Sequence, residues 1–329
     1  MEVKYYSHID QLKGLAILLM VMGHALAWSY NDYSFLNNQL CTMTTEQSNA
    51  SIVWKIIYSF HMPLLFFVSG FLFFKTENIE SFGTKIKKRI NRLLIPYLTT
   101  GIFVYFLRGY FGYWFFITLF ALNLIVFFEL FVLSKVQNKL WVDIVSRIVV
   151  VIIIAVAVKL TKNYLPKSLS HFASLPSYYI VFMFGYMVHK YKILEAFCKN
   201  QIVSLLCFIT YIVMMVLSNN YEINGRLLLL TPICAIVFLY NLFNGFEIKW
   251  LGEIVGKNSM EIYVFHLFFV ASFQEVGQYI LHINSLPLSI TIQLTYSIVI
   301  SAIAVIFSLA TARVLKSNKY LAFLFGFKQ

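Results

Sequence analysis

Charge is scarce in this chain. Of its 329 residues, 12% are Asp, Glu, Lys or Arg and 60% are hydrophobic. A soluble domain of this size carries about twice that charged fraction. No segment is long and polar enough to make a separate soluble domain, so a single membrane-embedded domain over residues 1–329 is expected. The four cysteines, Cys41, Cys198, Cys207 and Cys234, show no CxxC or metal spacing. Only Cys41 falls in a segment placed outside, which argues against a disulfide framework. No small-residue cleavage site follows the first apolar run, so that run is expected to stay as a span rather than leave as a signal peptide. Three catalytic signatures are missing: G-x-S-x-G, a Walker loop and HExxH. The histidines lie on separate apolar stretches without close spacing, and no metal is expected. No internal repeat is visible, which disfavours a secondary transporter, since many of those are built from repeated halves.

What the chain has instead is apolar runs of about 20 residues, the length that spans a bilayer as helix. Ten are read, at roughly 11–30, 52–74, 93–111, 114–134, 141–159, 177–189, 201–218, 227–244, 259–281 and 287–312. The fold class expected is all-α: a polytopic transmembrane helical bundle of about ten helices. The sixth span is short and follows a polar loop, Lys159 to Ser177, that carries Pro166 and Pro176; a re-entrant half-helix would fit there.

The formal net charge of +12 could suggest nucleic acid. In a membrane protein the better account is lysine and arginine gathered on cytoplasmic loops. With the N-terminus inside, the inner segments hold Lys4, Lys13, Lys75, Lys85, Lys87, Lys88, Arg89, Arg92, Lys135, Lys139, Lys190, Lys192, Lys199, Lys249, Lys257, Arg313, Lys316, Lys319 and Lys328. The outer segments hold Arg108, Lys159, Lys162, Lys167 and Arg226, with Lys55 and Arg147 at span edges. This asymmetry predicts an N-in, C-in topology. The first outer loop, Asn31 to Ser51, includes the glycosylation pattern Asn49-Ala50-Ser51, which is too short to carry weight.

The first span opens with His8, Asp10 and Lys13 and carries His24 near its far end. In a helix, Lys13 and His24 lie within roughly 20° of one face and about 16 Å apart, and Asp10 within roughly 40° of His24. One stripe thus carries an acid and a cation at the membrane edge and an imidazole much deeper. Ionisable groups inside membrane helices are functional by default, although a histidine bonded to a neighbouring helix would look the same.

Four further stretches bear chemistry. In residues 59–74, SFHMPLLFFVSGFLFF, His61 precedes Pro63, which permits a kink. Ser69 and Gly70 allow close helix approach or exposure of backbone to a ligand. Two intramembrane imidazoles could serve one proton-transfer site. Residues 82–97, FGTKIKKRINRLLIPY, read as an inner loop whose cations set topology or bind phosphate; Arg89 and Arg92 (i, i+3) would share a helical face. Tyr113 and Trp114 fit an interfacial aromatic belt, with sugar stacking as a second role for Trp114. In GKNSMEIYVFH, residues 256–266, Asn258 or Ser259 caps a helix that carries Glu261 and His266.

Taken in order, these stretches resemble the acyltransferase-3 family of integral-membrane O-acyltransferases, and most closely its fucose 4-O-acetylase-like branch. The residues that carry the resemblance are Asp10-Gln11-Leu12-Lys13-Gly14 through Gly23-His24; Phe60-His61-Met62-Pro63-Leu64 with Phe67-Val68-Ser69-Gly70-Phe71-Leu72; Lys88-Arg89-Ile90-Asn91-Arg92-Leu93 with Pro96 and Tyr97; Trp114-Phe115-Phe116; and Asn258-Ser259 through His266. Lys13 stands where arginine is also common.

The resemblance implies about ten transmembrane helices in a bacterial cell membrane, acetyl-CoA or another acyl-CoA as cytoplasmic donor, and a glycan or lipid-linked sugar hydroxyl as acceptor. Nucleic acid is not an expected partner; a homo-oligomer is compatible with the reading. Some members carry a fused hydrolase-like domain, and none is read here before the chain ends at Gln329. His24, Asp10 and His61 are then the expected catalytic set. Lys13, Lys88, Arg89, Arg92 and Tyr97 would bind the donor, and Trp114, Ser69, Asn258 and His266 the acceptor. His24 would act as base toward the acceptor or accept the acyl group itself, with His61 in reserve. The competing class is a transporter or flippase for a sugar or lipid, which would move its substrate unchanged.

Overall fold

The computed structural model describes residues 6–76, 82–109, 111–133, 140–164, 167–221 and 229–327. Those residues form helices and connecting turns with no strand among them. In chain order the helices are α1 (Ser7–Ser29), α2 (Thr45–Thr76), α3 (Phe82–Arg89), α4 (Ile95–Arg108), α5 (Trp114–Leu133), α6 (Leu140–Thr161), α7 (Leu175–Lys190), α8 (Lys192–Cys198), α9 (Gln201–Asn220), α10 (Leu230–Gly245), α11 (Ser259–Phe269), α12 (Gln274–Leu281), α13 (Leu286–Lys316) and α14 (Lys319–Leu324). Among the described residues, seven helical runs are long and apolar enough to cross a membrane: α1, α2, Gly83–Leu107, α5, α6, α9 and α13. Helices α10 and α11 are apolar but shorter.

Three local readings change. Residues 82–97 are not a loop. They are helical from Phe82 onward, with a π turn at Ile90–Leu94 joining α3 to α4. Pro96 follows at once; it has no N–H to donate and crowds the carbonyl four residues back, so a widened turn just ahead of it is physically reasonable. The span expected at 259–281 is broken. Helix α11 ends at Val270 in extended conformation and α12 restarts at Gln274. The Phe273 N–H released by the break donates to the Tyr296 hydroxyl at 3.2 Å, the kind of compensation an interrupted membrane helix requires. Arg147 is not at a span edge but buried inside α6. The topology cations Lys4, Lys135, Lys139, Arg226 and Lys328 lie outside the described residues, as do Pro166 and the end of the chain.

The chain divides into two compact units. The first comprises Met1–Leu65 and Ala196–Ala312. Its centre is α1, which packs against α10, α11, α12 and a second π turn, Leu251–Gly256. Backbones meet there because glycine omits a side chain: a Cβ on Gly14 would strike the Leu251 carbonyl, and one on Gly256 the Asp10 carbonyl. Small residues permit this approach where burial of apolar surface gives helices no reason to associate. Gln11 Oε1 accepts the Ile248 N–H at 2.6 Å and ties α1 to the segment before the π turn.

At the other end of α1 the connection to α2 folds down onto the helices. Phe35 and Leu36 join Ala27, Tyr30, Ala50 and Ile280 in one buried cluster. Lys55 Nζ donates to the carbonyls of Leu36 (3.1 Å) and Asn38 (2.5 Å). Asn49 is buried, and its side chain donates to the Asn284 carbonyl at 3.0 Å, so the Asn49-Ala50-Ser51 pattern is spent on packing.

The second unit comprises Phe66–Glu195 and Arg313–Gln329. Helix α7 is its hub. Gly70 and Gly185 bring the second half of α2 and α7 into backbone contact, against the carbonyls of Phe182 and Phe67 respectively. Helix α6 turns a row of apolar side chains outward, and its buried residues are Asp143, Arg147 and Ile154. Arg147 pairs with Glu129 of α5. Tyr179 donates to the same carboxylate at 2.6 Å, and Asp143 accepts from Lys190 and Tyr191, each at 2.6 Å. A charge left alone in the bilayer core costs about 3 kcal/mol by insertion scales, so these pairs hold α6 to its neighbours.

Candidate active site

The first unit carries the candidate histidines His24, His61 and His266. Helix α1 is continuous from Ser7 to Ser29, so Asp10, Lys13 and His24 keep the stripe that helical geometry demands. Lys13 Nζ donates to Asp10 Oδ1 at 2.8 Å. Both side chains are about one-fifth exposed, at 21% and 18%. This pair is partly open to a ligand, and its two charges cancel locally.

His24 meets His266 of α11. Their rings stack with centroids 5.4 Å apart and planes 26° from parallel. Sequence spacing could not have shown this contact, because 242 positions separate the two residues. His266 is buried, and its Nδ1 lies 2.7 Å from the Tyr263 carbonyl. A carbonyl only accepts, so Nδ1 carries the proton and Nε2 keeps its lone pair. His61 is fixed likewise, with Nδ1 2.8 Å from the Ile57 carbonyl. Helix α2 runs unbroken through Pro63. The Tyr58 ring stands edge-on to His61 at 4.6 Å and lies against Gly23, the neighbour of His24. Thus α1, α2 and α11 gather three imidazoles in one region of this unit. His61 and His266 are 2% and 1% exposed, whereas His24 is only half-buried.

Asn258 precedes α11, but its side chain does not cap that helix; it donates backward to the Ile254 carbonyl at 2.7 Å. The π turn that ends at Gly256 offers that carbonyl where an ordinary cap would find the amides of α11. His8 was not a candidate, yet it is buried edge-on to Tyr240 at 5.0 Å.

The second unit holds the remaining candidates. Arg89 is half-buried, with its guanidinium 5.6 Å from the centre of the Phe73 ring. Lys88 and Arg92 are exposed. The π turn begins directly after Arg89, so the i, i+3 alignment of a straight helix does not apply and the two arginines differ in burial. Tyr97 packs edge-on to Phe111 at 5.0 Å. Ser69 is half-buried beside Gly70, the contact point with α7. Trp114 is half-buried. It stacks with His171 (4.7 Å) and Tyr178 (5.6 Å). Tyr113 is buried, with φ of 69° in the left-handed region, at the turn into α5. Among the described residues no cluster of His, Cys, Asp or Glu has the arrangement of a metal site.

Seven helical runs of membrane-spanning length and composition among the described residues are those expected of an integral-membrane protein, and comparison supplies the family. The chain matches the family described as acyltransferase domain over residues 6–313 and belongs to it, the acyltransferase-3 family. It is also similar to nodulation protein NolL of Sinorhizobium fredii (strain NBRC 101917 / NGR234), with 35% identity over 89 residues. That match covers 27% of this chain and only 21% of NolL. No solved structure matches the chain. The chain is therefore a member of the acyltransferase-3 family with seven helical runs of membrane-spanning length among its described residues.

Proposed function

We propose that this protein is an O-acetyltransferase of a bacterial cell membrane. It takes the acetyl group from cytoplasmic acetyl-CoA and places it on a sugar hydroxyl of a surface polysaccharide or lipid-linked glycan. The observation that carries the reading is the half-buried His24 stacked on His266, on the same helix as the Asp10–Lys13 pair.

In this reading His24 is the reacting group. As neutral imidazole it removes the proton from the acceptor hydroxyl as that oxygen attacks the thioester carbonyl, and the proton passes to CoA as the C–S bond breaks; or its nitrogen first displaces CoA thiol to hold the acetyl group, which the hydroxyl then takes. His266 holds the plane of the His24 ring and borders the acceptor, together with Asn258. Asp10 orients Lys13, and His61 is the reserve base. Lys88, Arg89, Arg92 and Tyr97 bind the donor, the cations through charge-assisted hydrogen bonds to phosphate; Lys13 serves the same polyanion at the start of α1. Trp114 and Ser69 are assigned to the acceptor. About ten membrane crossings with both termini in the cytoplasm match the excess of lysine and arginine on the inner segments. The whole chain acts as one enzyme in this account.

The test is mass spectrometry of surface glycans from cells with the wild-type protein and with His24→Ala. Loss of an acetyl ester in the variant, with its membrane abundance unchanged, is expected. An ester retained at wild-type level would end the proposal.

A further inference from the structure

We infer that Trp28, Trp54 and Tyr58 form the acceptor's sugar-binding walls beside His24, a subsite of the first unit. The inference rests on the acyl-transfer reading and names the surface that would hold its acceptor. Trp28 stands one helical turn beyond His24 on α1, and the two rings are 5.0 Å apart. On α2, Trp54, Tyr58 and His61 follow at i, i+4 and i+7, the spacing of one helical face. Trp54 and Tyr58 stack at 3.9 Å with planes 22° apart. Gly23 is what admits the Tyr58 ring to α1 at this point, since a Cβ there would strike it. Two helices therefore bring three large rings to the neighbourhood of one imidazole.

Exposure separates these residues from the two covered imidazoles. His24, Trp28, Trp54 and Tyr58 are each half-buried, while His61 and His266 are almost completely covered. Partly exposed aromatic residues therefore collect around a partly exposed histidine. The two tryptophans are also held by packing. Both pack against the cluster that contains Phe35 and Leu36 of the α1–α2 connection, and Trp54 also against Leu26, Val53 and Ile57. Trp54 Nε1 is buried and makes no hydrogen bond. An indole not pinned by that bond can tilt to offer its N–H to a ligand hydroxyl, which would relieve an unsatisfied donor. Rings for the apolar faces of a pyranose, a donor for one hydroxyl and an imidazole for another make the mixed apolar and polar lining of a small-molecule site.

The experiment uses the detergent-solubilised full chain and a panel of methyl pyranosides (gluco, galacto and fuco). Saturation-transfer NMR reads sugar binding without turnover, and labelled acetyl-CoA reads transfer. Wild type is expected to give a saturation-transfer signal with at least one pyranoside. Trp54→Ala and Trp28→Ala should lose it and raise the acceptor KM by about tenfold, with the acetyl-CoA KM unchanged. Trp54→Phe keeps a ring and guards against misfolding; it should retain most of the signal and lose only what the N–H supplies. Unchanged acceptor KM and unchanged signal in both alanine variants would overturn the subsite, and so would absence of signal from wild type. Binding of sugar without any transfer would instead refute the acetyltransferase reading and leave the subsite standing.

Discussion

The two units differ in how their buried charges are partnered. In the second, charges come in matched pairs: Glu129 with Arg147, and Asp143 with Lys190. Each sign is answered within contact distance, and tyrosines add hydrogen bonds to the carboxylates. In the first, His24 stacks on His266, His61 meets Tyr58 edge-on, Glu261 is buried on α11, and the matched pair, Asp10 with Lys13, sits at the start of α1. A matched pair completes itself and asks nothing of a substrate. His61 and His266 each set Nδ1 on a backbone carbonyl, which fixes their rings, whereas His24 is held by its stack on His266. Stacked imidazoles occur in both units, His171 on Trp114 and His189 on Phe71 in the second, so stacking alone does not mark a reacting group; His24 is set apart by lying against another imidazole.

Substitution can break this distinction. The largest effect is expected at His24. His24→Ala should lower acetyl transfer by about 10²–10⁴-fold, the usual worth of a positioned acid or base, with protein still in the membrane. Arg147→Ala should do the reverse. It leaves Glu129 buried without its partner at a cost of roughly 3 kcal/mol, so thermal stability in detergent and membrane abundance should fall before the acetyl-CoA KM changes. Exchanging the two, Glu129→Arg with Arg147→Glu, should restore part of that stability; failure of the exchange to exceed either single change would show that the pair does not act as a clamp. A smaller effect belongs to Arg89→Ala with Arg92→Ala, expected to raise the acetyl-CoA KM by about tenfold per charge-assisted bond lost. Unchanged affinity there would reduce the basic helix to a topology signal. Asp10→Asn should be mildest, a shift of a few-fold in the same KM, because Lys13 keeps its charge and loses only its orienting partner.

Hydropathy made the helical class legible, and the residue types of the candidate site could be picked out because polar groups stand out against an apolar background. Asp10 and Lys13 pair as the i, i+3 spacing expects, since both lie on one regular helix. What could not be read were meetings between distant helices. His24 with His266, and Arg147 with Glu129, depend on which helices pack together, and one-dimensional periodicity carries no such information. The π turns were also hidden. Gly252, Gly256 and Pro96 hint at them only in retrospect, because glycine and proline are compatible with many local geometries. The break at residues 270–273 escaped for a related reason: its sequence, Val270-Ala271-Ser272-Phe273, is as apolar as a span, and the interruption is stabilised by Tyr296, on another helix.

The most direct test of the central claim is acetyl transfer in proteoliposomes, with labelled acetyl-CoA on one side and a glycan acceptor on the other. The account predicts acceptor labelling by wild type and by the Glu129–Arg147 exchange variant, and none above background with His24→Ala at equal reconstituted protein. Labelling by His24→Ala at the wild-type rate would contradict it.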